Sequence, residues 1–174
     1  MTRGRPVLFA LRSLKRVYYA CMLRYIFIGI VFVLTGVILG GYLFSDTKPR
    51  AFLRVQECGL SCLNQEEALG LLGSIGVQKL SGIIPSVQKE TDKTIVIKHP
   101  FPQAPIHYVI IPKKDIKATE DISEEDTPYI IDAYAVMSAL IREQNLRDYK
   151  IVINGPGFQT VGYLHFHLVS ELPR

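Results

Sequence analysis

Two histidines two residues apart, His165 and His167, lie in the stretch YLHFHLVS at residues 163–170. Read as a strand, this stretch turns Tyr163, His165 and His167 to one face and Leu164, Phe166 and Leu168 to the other. An imidazole can serve as nucleophile, general base or metal ligand near neutral pH. The pair alone admits three readings: surface histidines without a role, two ligands of a metal, or a nucleophile with its helper. Just upstream, Gly155, Gly157 and Gly162 flank Gln159 and Thr160, and Asn154 precedes them. Glycines let a backbone approach a ligand closely, and exposed N–H groups with an amide and a hydroxyl can hold phosphate oxygens. A metal would want a third ligand, which His99 or His107 could supply if the fold brings them in. His107 shares a strand face with Val109, so a hydrogen-bonded core histidine stands beside a substrate contact as its reading. Phe101 either walls a base pocket or plugs its loop, and Lys113 and Lys114 read as a solvated strand end.

The elements that must position these residues are set by pattern. Residues 94–98 (TIVIK) read as a strand, and residues 99–105 hold three prolines and form an irregular loop. Residues 106–111 (IHYVII) form a second strand stopped by Pro112. Residues 128–143 form a helix with Ile130, Ile131, Tyr134, Met137, Ala139 and Leu140 on its apolar side. Residues 150–154 (KIVIN) and 163–170 complete a strand, strand, helix, strand, strand order. That order predicts an α+β domain with a mainly antiparallel sheet and a packed helix. Upstream, residues 64–72 suit a helix capped by Asn64, with Glu66 and Glu67 in its first turn. Gly70, Gly73, Gly76 and Gly82 are expected to break up the chain from there to the first strand. There is no internal repeat or low-complexity stretch.

Residues 25–44 (YIFIGIVFVLTGVILGGYLF) run uncharged for twenty residues, the length an α-helix needs to cross about 30 Å of hydrocarbon. A cleaved signal peptide would have a shorter apolar region ending in small residues, whereas this one ends Gly-Gly-Tyr-Leu-Phe-Ser-Asp, which favours a retained anchor. Arg3, Arg5, Arg12, Lys15, Arg16 and Arg24 precede it without an acid, while Lys48, Arg50 and Arg54 come after it with Asp46 among them. The positive-inside rule places the N-terminus in the cytoplasm and the rest outside it. A start at Met22 would keep that topology with a weaker bias. The expected organisation is a basic segment over 1–24, a transmembrane helix over 25–44, a linker and N-terminal extension over 45–91, and the α+β domain over 92–174.

The formal charge is +4, but residues 1–45 hold six of the twenty Lys and Arg and none of the sixteen acids. The remainder, with 14 basic and 16 acidic side chains, has a net charge of −2 and is no trap for nucleic acid. The basic 1–24 segment suits anionic lipid headgroups instead. Cys58 and Cys62 have a C-x₃-C spacing that allows a disulfide outside the cytoplasm, half a zinc site inside it, or two plain thiols. Cys21 precedes the apolar stretch.

From Phe101 to Ser170 the chain resembles the histidine-triad (HIT) family, whose signature is His-φ-His-φ-His-φ-φ with φ apolar. Here it reads Tyr163-Leu164-His165-Phe166-His167-Leu168-Val169. Pro102-Gln103-Ala104-Pro105-x-His107, Ile111-Pro112-Lys113-Lys114, Val152-Ile153-Asn154-Gly155 and Gln159 support it in the expected order. The resemblance implies that His165 attacks the α-phosphorus of a nucleoside phosphoramidate, dinucleoside polyphosphate or similar ester. The resulting nucleotidyl-histidine would be resolved by water or another acceptor. It implies that His167 binds phosphate oxygens, and that Asn154, Gln159 and Thr160 line the phosphate and leaving-group side. Tyr163, His107, His99 and Phe101 complete the expected substrate surroundings, with no metal or other cofactor required. Family members often pair as homodimers, which a single-pass anchor permits. Three positions depart from the family pattern: Tyr163 replaces the first histidine, Asp115 stands where Lys-Lys-His is common, and His99 stands near a usual ribose-gripping acid. They keep open a degenerate domain that binds nucleotide without turnover or serves as an interaction module. A metal held by His165 and His167 with His99 or His107 is the third reading.

Overall fold

The computed structural model describes residues 5–51, 63–84 and 86–172. Two compact units divide the chain, Met1–Ser45 and Asp46–Arg174. The first holds α1 (Arg5–Phe44), in which Tyr18–Phe44 is long and apolar enough to cross a membrane. Its 27 residues rise about 40 Å, more than the about 30 Å of a bilayer core. Ile30, Phe32, Val37 and Ile38 are all exposed. The predicted span over 25–44 lies inside this helix, because nothing between Tyr18 and Arg24 interrupts helical backbone. Cys58 and Cys62 fall outside the described residues.

In the second unit α2 (Gln65–Lys79) precedes β1 (Val87–Glu90), β2 (Thr94–Lys98) and β3 (Ile106–Pro112). After α3 (Thr127–Glu143) come β4 (Tyr149–Ile153) and β5 (Phe166–Ser170). The five strands make one antiparallel sheet in the order β1-β2-β3-β5-β4. The α+β architecture with a packed helix agrees with the sequence pattern. A capping box of Ser123 and Asp126 closes the turn before α3, and Pro128 sits in its first turn, where a missing N–H costs nothing. Asn145, at φ 51°, then ends the helix region in a left-handed residue.

Strand register sorts the side chains into two faces. Val96, Ile110 and Phe166 pair across β2, β3 and β5, and with Leu168 they pack under Ala133, Val136, Met137 and Leu140 of α3. Phe166 and Leu168 are almost wholly buried, and each such side chain contributes about 1.5–3 kcal/mol. The opposite face carries Ile97, Val109, His167 and Val152 in one cross-strand row, and His107, Val169 and Lys150 in the adjacent row. The apolar half of the HIT-like motif therefore anchors the sheet to α3 and leaves His107 and His167 on the face opposite it.

The structure corrects three local expectations. Strand β1 had no sequence signal: its four residues, VQKE, are too short and polar, and a register shift between Val87 and Lys89 breaks their alternation. Helix α2 does not stop near residue 72 but continues to Lys79, and Gly70 within it serves a close backbone contact rather than termination. A Cβ on Gly70 would lie 2.5 Å from the Gly162 carbonyl oxygen, and the Gly162 N–H donates to the Glu66 carbonyl at 3.1 Å. Finally, β5 begins at Phe166 rather than Tyr163, so Tyr163, Leu164 and His165 are not held by strand alternation.

Candidate active site

His165 sits immediately before β5, where its Nδ1 lies 2.7 Å from the Tyr163 carbonyl oxygen. A carbonyl only accepts, so Nδ1 carries the proton and Nε2 keeps the lone pair. The backbone thus fixes the tautomer a nucleophile needs. His167 makes an edge-to-face contact with His165, ring centroids 4.9 Å apart.

A second chain of hydrogen bonds orients His167. The Gln103 main-chain N–H donates to His107 Nδ1 at 3.2 Å, so His107 holds its proton on Nε2. That proton is donated to His167 Nδ1 at 3.0 Å, which leaves the His167 proton on Nε2. His167 Nε2 is buried and has no hydrogen-bond partner, so a donor awaits an acceptor beside the lone pair of His165. His99 stacks on His107 at 4.1 Å and 9°, with its Nδ1 accepting the Phe101 N–H.

His99, His107 and His167 also place ring nitrogens within 4.8 Å of one another, close enough for a metal ion. The hydrogen bonds argue against that use. A metal on Nε2 of His99 or His107 would need the ring proton moved to Nδ1, where it would face a main-chain N–H donor. The metal reading on His165 and His167 meets a similar obstacle, since His167 Nδ1 is already occupied by His107.

The electrostatics favour neutral imidazoles. Burial, followed by the fields of His165, His107 and His99, pushes His167 down to about 4. Burial chiefly, then His99, lowers His165 against the raising effect of its backbone bond, and burial, His99 and Lys150 lower His107. Activity that needs the His165 lone pair should therefore be flat at and above neutral pH and fall on the acid side, with a midpoint below the ordinary 6.5. Stability should have the same sign. For His167 the window runs from about 6.5 down to about 4, and His165 and His107 act in the same direction: the unfolded chain binds more protons there than the folded one, so stability is lost as pH falls. A pH–rate profile and chemical denaturation at pH 7.5 and 5 check both expectations.

Two cavities meet at His99, His165 and His167. One, about 210 Å³, is apolar and lined by Val77, Ile97, Val109, Ile111, Val161 and Tyr163. The other, about 370 Å³, is polar and adds Gln103, His107, Asn154, Thr160, Phe158 and Lys150.

Comparison with known proteins agrees with this geometry. Residues 82–173 match the family described as scavenger mRNA decapping enzyme C-term binding. An uncharacterized HIT-like protein of Chlamydia muridarum is 39% identical over 84 residues, covering 47% of this chain and 67% of the relative. A mouse adenosine 5′-monophosphoramidase is 25% identical over 86 residues, 48% of this chain and 52% of its own length. A HIT family hydrolase structure from Clostridium thermocellum superposes with a TM-score of 0.51 at 28% identity, over 57% of this chain and 94% of that one. The chain belongs to the histidine-triad family.

Within this HIT domain the expected site residues separate into two groups. His165, His167, His107, His99, Asn154 and Thr160 all border the polar cavity. Gln159 does not line it: the residue is buried, and its amide reaches Glu66 and the Lys117 carbonyl, bracing the glycine loop instead. Phe101 is 81% exposed and borders neither cavity. Tyr163 is the main correction to the shared-face expectation. It is 3% exposed, with its hydroxyl turned to the carbonyls of Pro112 and Lys114 at 2.8 and 2.9 Å. Burial first, then the Asp115 carboxylate, raises its phenol, so it stays protonated. Tyr163→Phe should accordingly cost about 1 kcal/mol of stability and leave kcat unchanged, because the main-chain carbonyl that orients His165 remains. Urea unfolding alongside steady-state kinetics tests this. Lys150, Gln103 and Phe158 were not identified as site residues from sequence. Lys150 and Val152 face the histidines only through the β4–β5 register, which a single sequence does not display.

Proposed function

We propose that this HIT protein is a membrane-anchored nucleotidyl hydrolase or transferase that works through a covalent nucleotidyl-histidine. The observation that carries the proposal is the Tyr163 carbonyl holding His165 Nδ1–H, which leaves Nε2 free to attack. In the first step the Nε2 lone pair forms an N–P bond, and the bond from phosphorus to the leaving nitrogen or oxygen breaks. The electron pair departs with the leaving group, which takes a proton from solvent in the open polar cavity. The His167 Nε2–H donates to a nonbridging phosphoryl oxygen, where charge builds. Water or another acceptor then attacks phosphorus and returns the pair to His165. The apolar cavity suits a nucleobase and the polar one the leaving group. The mouse relative, a monophosphoramidase by name, supports a phosphoramidate as the first substrate to try.

The alternative of a binding module rests on the missing first histidine. It is weakened by the position of Tyr163, which serves His165 through its backbone and leaves the nucleophile's lone pair untouched. Quenched intact-mass spectrometry of the detergent-solubilised chain with an adenosine phosphoramidate should show a transient adenylyl adduct. Saturable binding with neither adduct nor product would give the lead to the module.

The anchor and the dimer belong to the same proposal. The apolar helix Tyr18–Phe44 and the basic residues before it support a single span with the catalytic unit outside the cytoplasm. Strand β4 is a sheet edge with Tyr149, Ile151 and Ile153 exposed, which supports pairing of two copies along it.

A further inference from the structure

We infer that Lys150 selects the leaving group, and that the polar cavity prefers one bearing a single compact anionic group over a neutral one or a polyphosphate chain. This deepens the proposed reaction and rests on His165 as its nucleophile.

A phosphorus held over His165 and His167 has two arms to place, and the cavities that meet there differ in kind. One is walled mainly by aliphatic side chains, so the nucleoside arm belongs in it, and the leaving group goes to the polar side. Apart from the histidines, Lys150 is the one charged side chain among the described residues that lines that polar cavity. Its position is set by the sheet: Lys150 pairs with Val169, which pairs with His107, while Val152 pairs with His167. Lys150 thus stands two residues along β4 from the His167 row, about 7 Å away, and a lysine stem can lean back over that gap. Lys113, Lys114 and Lys117 are each paired with an acid, whereas the Lys150 ammonium has no ion-pair partner among the described residues.

Beyond Lys150 the sign reverses. An outer cavity of about 400 Å³ shares Gln103, Lys150 and Val169 with the polar one and adds Asp148 and Glu171. A leaving group therefore passes one cation and then meets two carboxylates. A single carboxylate or phosphate gains from the first, whereas a longer polyanion runs into the second. Because Lys150 is exposed to solvent, the gain is that of a screened surface pair, up to about fivefold, and shrinks with salt.

The test uses the detergent-solubilised full chain and two adenosine 5′-phosphoramidates of matched size, N-linked to propylamine and to β-alanine. The wild type should favour the β-alanine compound about threefold to fivefold in kcat/KM at low ionic strength. Lys150→Gln should erase that preference, and Lys150→Glu should invert it. Replacing the carboxylate arm by di- and triphosphate arms should bring no further gain. Equal use of both compounds by the wild type, or an equal loss on both in Lys150→Gln, overturns the role of Lys150. A rate that climbs with each added phosphate overturns the single-anion limit. If no adenylyl adduct forms with either compound, the nucleophile reading fails separately. Displacement of a fluorescent adenosine nucleotide then decides Lys150: the same ordering of affinities supports it and equal affinities overturn it.

Discussion

His165→Ala is expected to lower kcat/KM for an adenosine phosphoramidate by a factor on the order of 10⁴ or more and to abolish the adenylyl adduct. The magnitude reflects the group that is lost. Among the ring nitrogens of the four histidines, His165 Nε2 holds the one lone pair that the hydrogen bonds leave unprotonated and unengaged: His107 Nε2 and His167 Nε2 hold protons, and the Nδ1 atoms of His99, His107 and His167 accept bonds. His167→Ala should behave differently. It removes a donor to the phosphoryl oxygens, worth on the order of 10²–10³ in rate, so adduct still forms, slowly. Both variants should melt within a few degrees of the wild type, since neither imidazole belongs to the apolar core under α3. Quenched intact-mass spectrometry with steady-state rates separates the two roles, and wild-type-like turnover by the His165 variant would sink the mechanism.

How far the sequence foretold this site depends on which interactions hold each part. The sheet strands β2 and β3 and helix α3 were legible because each buries an apolar set against a partner element, and β4 because Ile151, Val152 and Ile153 are β-branched. Ile106, Ile110, Phe166 and Leu168 alternate on one face; on α3, Met137 and Leu140 of the expected apolar side are buried, whereas Ile131 and Tyr134 are exposed and Ala133 and Val136 are buried in their place. The histidine pair was legible because its spacing in the motif follows strand alternation, although only His167 lies in β5 and His165 precedes it. Three things were not. The pairing order that brings Lys150 beside His107 is a property of the whole sheet. The side-chain direction of Tyr163 is set by the carbonyls of Pro112 and Lys114, some fifty residues away in the chain. Gln159 lies in a polar turn where an amide facing phosphate and one facing Glu66 would look identical in sequence. Gly70 of α2 was misread for the same reason: a helix breaker and a close contact are the same residue until the opposing backbone, here Gly162, is known.

Arg50 is the part most hidden in sequence, where it reads as one of three basic residues flanking a membrane span. Its side chain is fully buried, bonded to the Asp115 carboxylate and the Gly162 carbonyl, with Glu67 at 3.4 Å. Asp115 in turn accepts the Lys48 N–H at 2.8 Å. The pair therefore ties the strap after Asp46 to α2 and to the loop whose next carbonyl, that of Tyr163, orients His165. Removing one partner strands the other charge out of water, so Arg50→Ala is expected to cost about 3–5 kcal/mol. Removing both charges is different: Asp115→Asn retains an acceptor for Lys48, and the Arg50→Ala/Asp115→Asn double variant should be more stable than the sum of the single losses by at least about 1 kcal/mol. Chemical denaturation of the four proteins in the cycle measures that coupling, and strict additivity would show the pair to be independent. Activity supplies the second readout. If Arg50 positions the loop as well as stabilising the fold, the double variant at a temperature where it is fully folded should keep its KM and lose kcat. Unchanged kcat in that variant would confine Arg50 to stability alone.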